Sequence, residues 1–171
     1  MAKRVKVRRA RLSDAGEIAQ IYNEGIEDRI ATFETEKRDK KERTAWLREH
    51  GKEHPVLVVE DPDGSVAGWA SITAVSDRCV YSGVGEYSVY VKRGRRGAGV
   101  GSLLLKGLLK SAADEGYWKL IGRMFSFNKG SIRLSQMLGF REVGVLEKHG
   151  KLDGKWLDVV EVEKLIPENL K

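Results

Sequence analysis

Residues 92–101 read Lys-Arg-Gly-Arg-Arg-Gly-Ala-Gly-Val-Gly. Before them, Val84 to Lys92 alternates apolar and polar residues, which predicts a half-buried strand. After them, Val100, Leu103, Leu104, Leu108 and Ala112 recur at helical spacing to about Glu115, where Gly116 ends the run. A strand, a basic glycine-rich turn and a helix start make an anion cradle. Glycines let successive N–H groups turn inward, the helix N-terminus adds its positive dipole end, and arginines add forked donors. The combination suits a pyrophosphate. It is not an NTPase phosphate loop, because the Gly-Lys-Ser/Thr ending is missing. As a dinucleotide fingerprint its glycine spacing is wrong, and too many elements precede it.

Working outward, Lys119 to Phe125 reads as a strand, so 84–125 forms a strand–helix–strand unit with a parallel crossover. Asn128 offers a cap for a shorter helix that stops at Gly139. Two strands follow, about Arg141 to Glu147 and Lys155 to Leu165, joined by a glycine-rich loop containing Asp153-Gly154. Upstream, Val56 to Glu60 and Val66 to about Ala74 flank Asp61-Pro62-Asp63-Gly64, a hairpin signature. Val5 to Arg9 alternates as a first strand, Ser13 offers a cap for a helix bearing Ile18, Ala19, Tyr22 and Ile26, and Asp39 caps a second helix to about His50. This order predicts one α/β domain over residues 1–171, a three-layer fold with a mixed sheet of about seven strands and helices on both faces.

Composition narrows the class. The 171 residues carry 41% hydrophobic and 33% charged residues, so a packed core is expected and disorder is not. No apolar run approaches the roughly 20 residues of a spanning helix, and the basic start MAKRVKVRR is not followed by the apolar stretch of a signal peptide. The single Cys79 makes neither an internal disulfide nor a four-ligand zinc site. His50, His54 and His149 lack metal-ligand spacing, so no metal is expected. A cytoplasmic setting follows. The net charge of +6 is spread among both signs, and no basic face with interleaved aromatics argues for nucleic acid.

The segment Arg96-Gly97-Ala98-Gly99-Val100-Gly101 resembles the pyrophosphate-binding signature of the GCN5-related N-acetyltransferase superfamily. The stretches IYNEGI, ATFETE, RCVYSGVGEYSVYV, NKGSIRLSQMLGF and GKWLDVV are similar to the phosphinothricin and methionine sulfoximine acetyltransferases within it. That resemblance implies acetyl-CoA as co-substrate, a homodimer, and transfer of an acetyl group to the amine of a small amino acid or analogue. It implies that Val89, Tyr90 and Val91 offer a strand to the acetyl and pantetheine groups, that Arg95 and residues 96–101 hold the pyrophosphate, and that Asn128 touches the cofactor. It assigns Glu86 as general base, Arg78 and Tyr81 to the acceptor's acidic groups, and Phe33 and Trp156 to the pocket lining. Ser135 stands where many relatives carry Tyr or His, so water, or no acid at all, serves the departing thiolate.

The chemistry of the residues runs the same way. An ammonium acceptor must lose a proton before it attacks, and Glu86 is the only acidic residue between Asp77 and Asp114. Backbone N–H groups of its strand would serve a developing oxyanion. An arginine and a tyrosine three apart would grip a carboxylate or phosphinate. Each also has a plainer reading: Glu86 as an exposed strand residue, Asn128 as a helix cap, Trp156 as a core aromatic. Polyamine or protein N-terminal acetylation, and a non-catalytic acetyl-CoA sensor, are the competing functions.

Overall fold

The computed structural model describes residues 4–171; the first three residues of the basic start lie outside it. The chain forms β1 (Lys6–Arg9), α1 (Ala15–Asp28), α2 (Lys40–His50), β2 (Val56–Glu60), β3 (Val66–Ala74), β4 (Val84–Val91), α3 (Val100–Asp114), β5 (Lys119–Phe125), α4 (Lys129–Met137), β6 (Arg141–Leu152) and β7 (Lys155–Leu165). The strands make one seven-stranded sheet in the order β1-β2-β3-β4-β5-β7-β6. Only β4 and β5 pair in parallel, as expected of strands joined through a helix.

Both faces are covered on the N-terminal half. Ile18, Ile21, Tyr22 and Ile26 of α1 pack with Val58, Val66 and Trp69 on one face. Leu104, Leu105 and Leu108 of α3 pack with Ala70, Ile72, Leu120 and Val162 on the other. A third, smaller cluster of Phe125, Leu152 and Val159 takes Phe33 from the segment between α1 and α2. The α1–α2 segment therefore reaches from the β4 half of the sheet to the β5–β7 half.

Two details differ from the sequence reading. First, α1 begins after a short 3-10 turn, Leu12–Asp14, so Ser13 is not its cap. Second, the stretch after Glu147 is strand rather than loop. β6 runs on to Leu152 through a bulge between Leu146 and Gly150, and Asp153-Gly154 alone makes the turn, both at positive φ (48° and 77°). Lys148 bears the bulge in a left-handed conformation (φ 47°), its N–H donated to Asp158 Oδ1 at 2.8 Å.

Asp14 ties β1 to the start of α1. It is 5% exposed and accepts from Arg8 Nη1 (2.8 Å), Arg8 Nη2 (3.0 Å) and the Arg11 N–H (2.7 Å). Burial pushes its pKa up, but the hydrogen bonds from Arg8 and Arg11 prevail and hold it below the usual carboxylate value. A depressed folded-state pKa contributes stability that is fully present above the unfolded value of about 3.9. That contribution is lost as pH falls through the lower folded value. Asp14→Asn is therefore expected to lower stability at neutral pH by about 1–3 kcal/mol. The gap from the wild type should close as pH falls to about 2, read as urea midpoints at each pH.

Candidate active site

The cradle follows β4 through a 3-10 turn, Arg93–Arg95. Gly97 and Gly99 have φ of 75° and 83°, and Gly99 precedes the first residue of α3. A Cβ at either would meet nothing within 4 Å, so conformation and not space calls for glycine there. The first intrahelical bond runs from the Leu103 N–H to the Gly99 carbonyl at 3.1 Å. The amides ahead of it have no helical acceptor and form the donor end of the cradle. Gly101 lies against α4: a Cβ there would sit 3.1 Å from Leu134.

The arginines of the cradle point to carboxylates of the same chain. Arg93 pairs with Glu27 (3.0 Å) and Asp28 (2.9 Å), Arg95 with Asp61 (2.8 Å), and Arg96 with Asp28 (2.6 Å). Arg96 also donates from Nε to the Val91 carbonyl at 3.2 Å. The Asp28 carboxyl is held below its ordinary range by Arg93 first and Arg96 second. The arginine side chains thus brace the loop against α1 and the β2–β3 turn, and the backbone of residues 96–101 is what the loop presents.

Beside the cradle the sheet opens. β4 and β5 pair from Val84↔Lys119 to Tyr87↔Gly122 and no further, although both strands continue. A Cβ on Gly122 would lie 2.4 Å from the Tyr87 ring, so a glycine is required where the two strands last touch. On its other edge β4 pairs with β3 throughout, Gly68 facing Val91, and Lys92 extends that register by donating to the Ala67 carbonyl at 2.9 Å. Backbone direction alternates along a strand, so the N–H groups of Val89 and Val91 point away from β3, into the opening. The β4–β5 ladder, which ends at Tyr87↔Gly122, supplies neither with a partner.

Glu86 lies on the α1–α2 face, level with Ile121 of β5. Its Oε2 accepts from Arg123 Nη1 at 3.0 Å, and Arg123 Nε donates to Glu161 at 2.8 Å. Arg123, two residues beyond Ile121, shares its face. Phe125, two further on, meets the Phe33 ring edge-on with centroids 4.8 Å apart. Phe33 also lies over Gly150 of β6, where a Cβ would come within 2.8 Å of the ring. Asn128 both caps α4, accepting from the Ser131 N–H at 3.2 Å, and ties down the α1–α2 segment by donating to the Ile30 carbonyl at 3.1 Å.

The backbone of Val89 and Val91 thus borders the opening and runs on into the cradle, while Glu86 stands one residue before the last β4–β5 pair and Phe33 packs on Phe125 of the same face. Tyr90 points elsewhere: its ring stacks on Trp69 at 4.8 Å, and its backbone bonds to β3. Arg78 and Tyr81 sit together on the exposed 3-10 turn Cys79–Tyr81, with the guanidinium 5.9 Å from the ring centre; no hydrogen bond or ion pair joins them to Glu86. Trp156 is not brought to this group. It is 56% exposed near the β6–β7 turn under Lys151, and alternation along β7 sets it on the face opposite Val159, where Phe33 packs. Ser135 is fully buried and donates its hydroxyl to the Ile132 carbonyl at 2.7 Å. Arg123 was not foreseen. The alternation of Lys119 to Phe125 puts it on one face with Ile121, but only the inter-strand register sets it beside Glu86.

No cluster of three or more metal-ligating side chains occurs among the described residues, and none of their helices is long and apolar enough to cross a membrane.

Known proteins match most of this chain. Residues 7–160 match the family described as the acetyltransferase (GNAT) domain. A Bacillus subtilis protein ascribed to the phosphinothricin acetyltransferases is 35% identical over 153 residues, covering 90% of this chain and 94% of the relative. A Pseudomonas aeruginosa L-methionine sulfoximine/L-methionine sulfone acetyltransferase is 32% identical over 154 residues, 90% of each chain. A Salmonella typhimurium structure solved with its cofactor acetyl-CoA superposes with a TM-score of 0.90 at 30% identity, covering 94% of this chain and 93% of that one.

Proposed function

This chain belongs to the GNAT acetyltransferases, and on that premise we propose that it acetylates the primary amine of a small amino acid or amino-acid analogue, with Glu86 as general base. One observation carries the reading: a carboxylate stands beside a sheet opening whose free amides run on into an anion cradle. The relatives named for phosphinothricin, methionine sulfoximine and methionine sulfone support the acceptor class.

The residues present fit acetyl-CoA. The amides of residues 96–101 suit its pyrophosphate, and the free N–H groups of Val89 and Val91 suit its amides and thioester carbonyl. When bound, the cofactor supplies an activated acetyl group. The chain's own task is then to deliver a neutral amine. Glu86 Oε1 has no partner among the described residues and would be the oxygen that receives the proton of an incoming ammonium. Phe33 on Phe125 gives the acceptor an apolar wall, and Arg78 with Tyr81 gives a second, acidic group a partner. A homodimer in the cytoplasm belongs to the same reading, supported by the family resemblance; light scattering on the purified chain tests the first.

Thiol release from acetyl-CoA tests the function against phosphinothricin, methionine sulfoximine, methionine sulfone, common amino acids, spermidine and short peptides. Turnover of the amino-acid analogues is the expected result. Turnover of spermidine or peptides alone would discard the acceptor class. Gly99→Ala is expected to raise KM for acetyl-CoA about tenfold, since a side chain at positive φ costs roughly 1–2 kcal/mol. Steady-state kinetics with each substrate varied should show the acceptor KM nearly unchanged.

A further inference from the structure

We propose that Arg123 binds the α-carboxylate of the acceptor. The inference rests on the amino-acid reading above and narrows it to acceptors whose amine and carboxylate share one carbon.

Arg123 is the first β5 residue beyond the last β4–β5 pair, Tyr87 with Gly122, so it stands where the two strands part. Glu161 fixes its Nε at 2.8 Å and Glu86 takes one Nη1 hydrogen at 3.0 Å. A guanidinium carries five N–H donors in a planar fork. The Nη2 pair and the second Nη1 hydrogen have no acceptor among the described residues. Glu86 likewise leaves Oε1 free. The side chains of Arg123 and Glu86 are 37% and 29% exposed, so their unused bonding capacity is open to an incoming molecule.

A positive and a negative group therefore stand side by side with vacant donors and acceptors. An α-amino acid carries the complementary pair one carbon apart. With its ammonium on Glu86 and its carboxylate on the Nη edge of Arg123, charges alternate around the contact and the guanidinium gains two parallel hydrogen bonds. The zwitterion adds no net charge to a site that already holds two carboxylates and one guanidinium. An amine lacking the carboxylate satisfies Glu86 alone and covers the Nη edge without bonding it, the situation in which polar sites discriminate most strongly. The apolar Phe33–Phe125 contact lies next along the same face of β5, where the acceptor's carbon chain would run. Arg78 and Tyr81 are then left for a side-chain acid.

The test is a ratio. L-Methionine sulfone, methionine sulfoximine and phosphinothricin are each assayed beside their α-carboxamides, by thiol release from acetyl-CoA, with the intact chain. The wild type should prefer acid to amide in kcat/KM by about tenfold or more, the range of a charge-assisted hydrogen bond. Arg123→Leu should bring that preference close to unity. Arg123→Lys, which retains the charge but not the fork, should keep part of it and covers the case in which the leucine variant does not fold. Loss of Glu86's partner affects acid and amide alike and cancels in the ratio. A wild type indifferent to the carboxylate, or variants that keep the full preference, would overturn the proposal and leave the acetyltransferase reading standing. Failure to turn over any amino acid would overturn both.

Discussion

Glu86→Gln is expected to lower kcat by about 10²–10⁴-fold, the usual contribution of a positioned general base. Glutamine keeps the shape of the side chain and an oxygen for Arg123, whose Nε stays on Glu161. The lost element is then the proton acceptor and not the architecture. The deficit should shrink as pH rises, because an alkaline solution supplies the amine already deprotonated. KM for acetyl-CoA should hardly move, since Glu86 lies on the face of β4 opposite Val89 and Val91, whose side chains pack toward α3. A variant with wild-type kcat at every pH would return Glu86 to an ordinary strand residue paired with Arg123.

The second large effect is on stability. Trp69→Ala should cost about 3–5 kcal/mol, the range for removing a buried aromatic ring. Trp69 is 2% exposed, lies flat on Tyr90 (4.8 Å, 18°) and meets Trp46 at a steep angle (5.4 Å, 70°). The same rings shelter a charge. Arg43 is 8% exposed and lies over Tyr22 (4.2 Å) and Trp46 (4.8 Å), with Trp69 at 5.6 Å. Burial pushes its pKa down, and the ring faces offset part of that penalty. Alanine would leave a cavity and also take one aromatic wall from a buried cation. Trp69→Phe should cost clearly less than alanine, because it leaves a smaller cavity and the indole N–H is buried without a partner, so its removal forfeits no hydrogen bond. Urea midpoints of the two variants decide the matter; equal losses would mean that the packing argument is wrong.

The fold was legible because local signals and global packing agree. The apolar run from Val66 is buried on both faces as far as Ile72, the helical spacing from Val100 to Ala112 buries one face of α3, and glycines mark the ends. The reading failed where the signal was polar. Glu147 to Lys151 looks like loop because its side chains are charged or small, yet one face of that ribbon needs only Gly150 to seat the Phe33 ring. In the site, Glu86 and the cradle stood out by position along the chain. Arg123 did not, nor did the carboxylates Glu27, Asp28 and Asp61 that hold the cradle arginines, because those neighbours come from parts of the chain remote in sequence from the residues they meet. Sequence spacing describes one strand at a time, whereas an ion pair across strands depends on register.

The parting of β4 from β5 has a consequence for amide exchange. Backbone amides in the middle of a seven-stranded sheet ordinarily trade their hydrogens with solvent slowly, because strand neighbours hold them. Val89 and Val91 sit in the sheet's central strand yet face an opening, so in the free chain they should pick up deuterium far faster than Ser88 and Tyr90, which bond to β3. Filling the opening would supply the missing acceptors and slow these two amides, leaving the rest of the strand as it was. The sheet therefore carries its own isotopic marker of occupancy, at two positions that no covalent label need disturb.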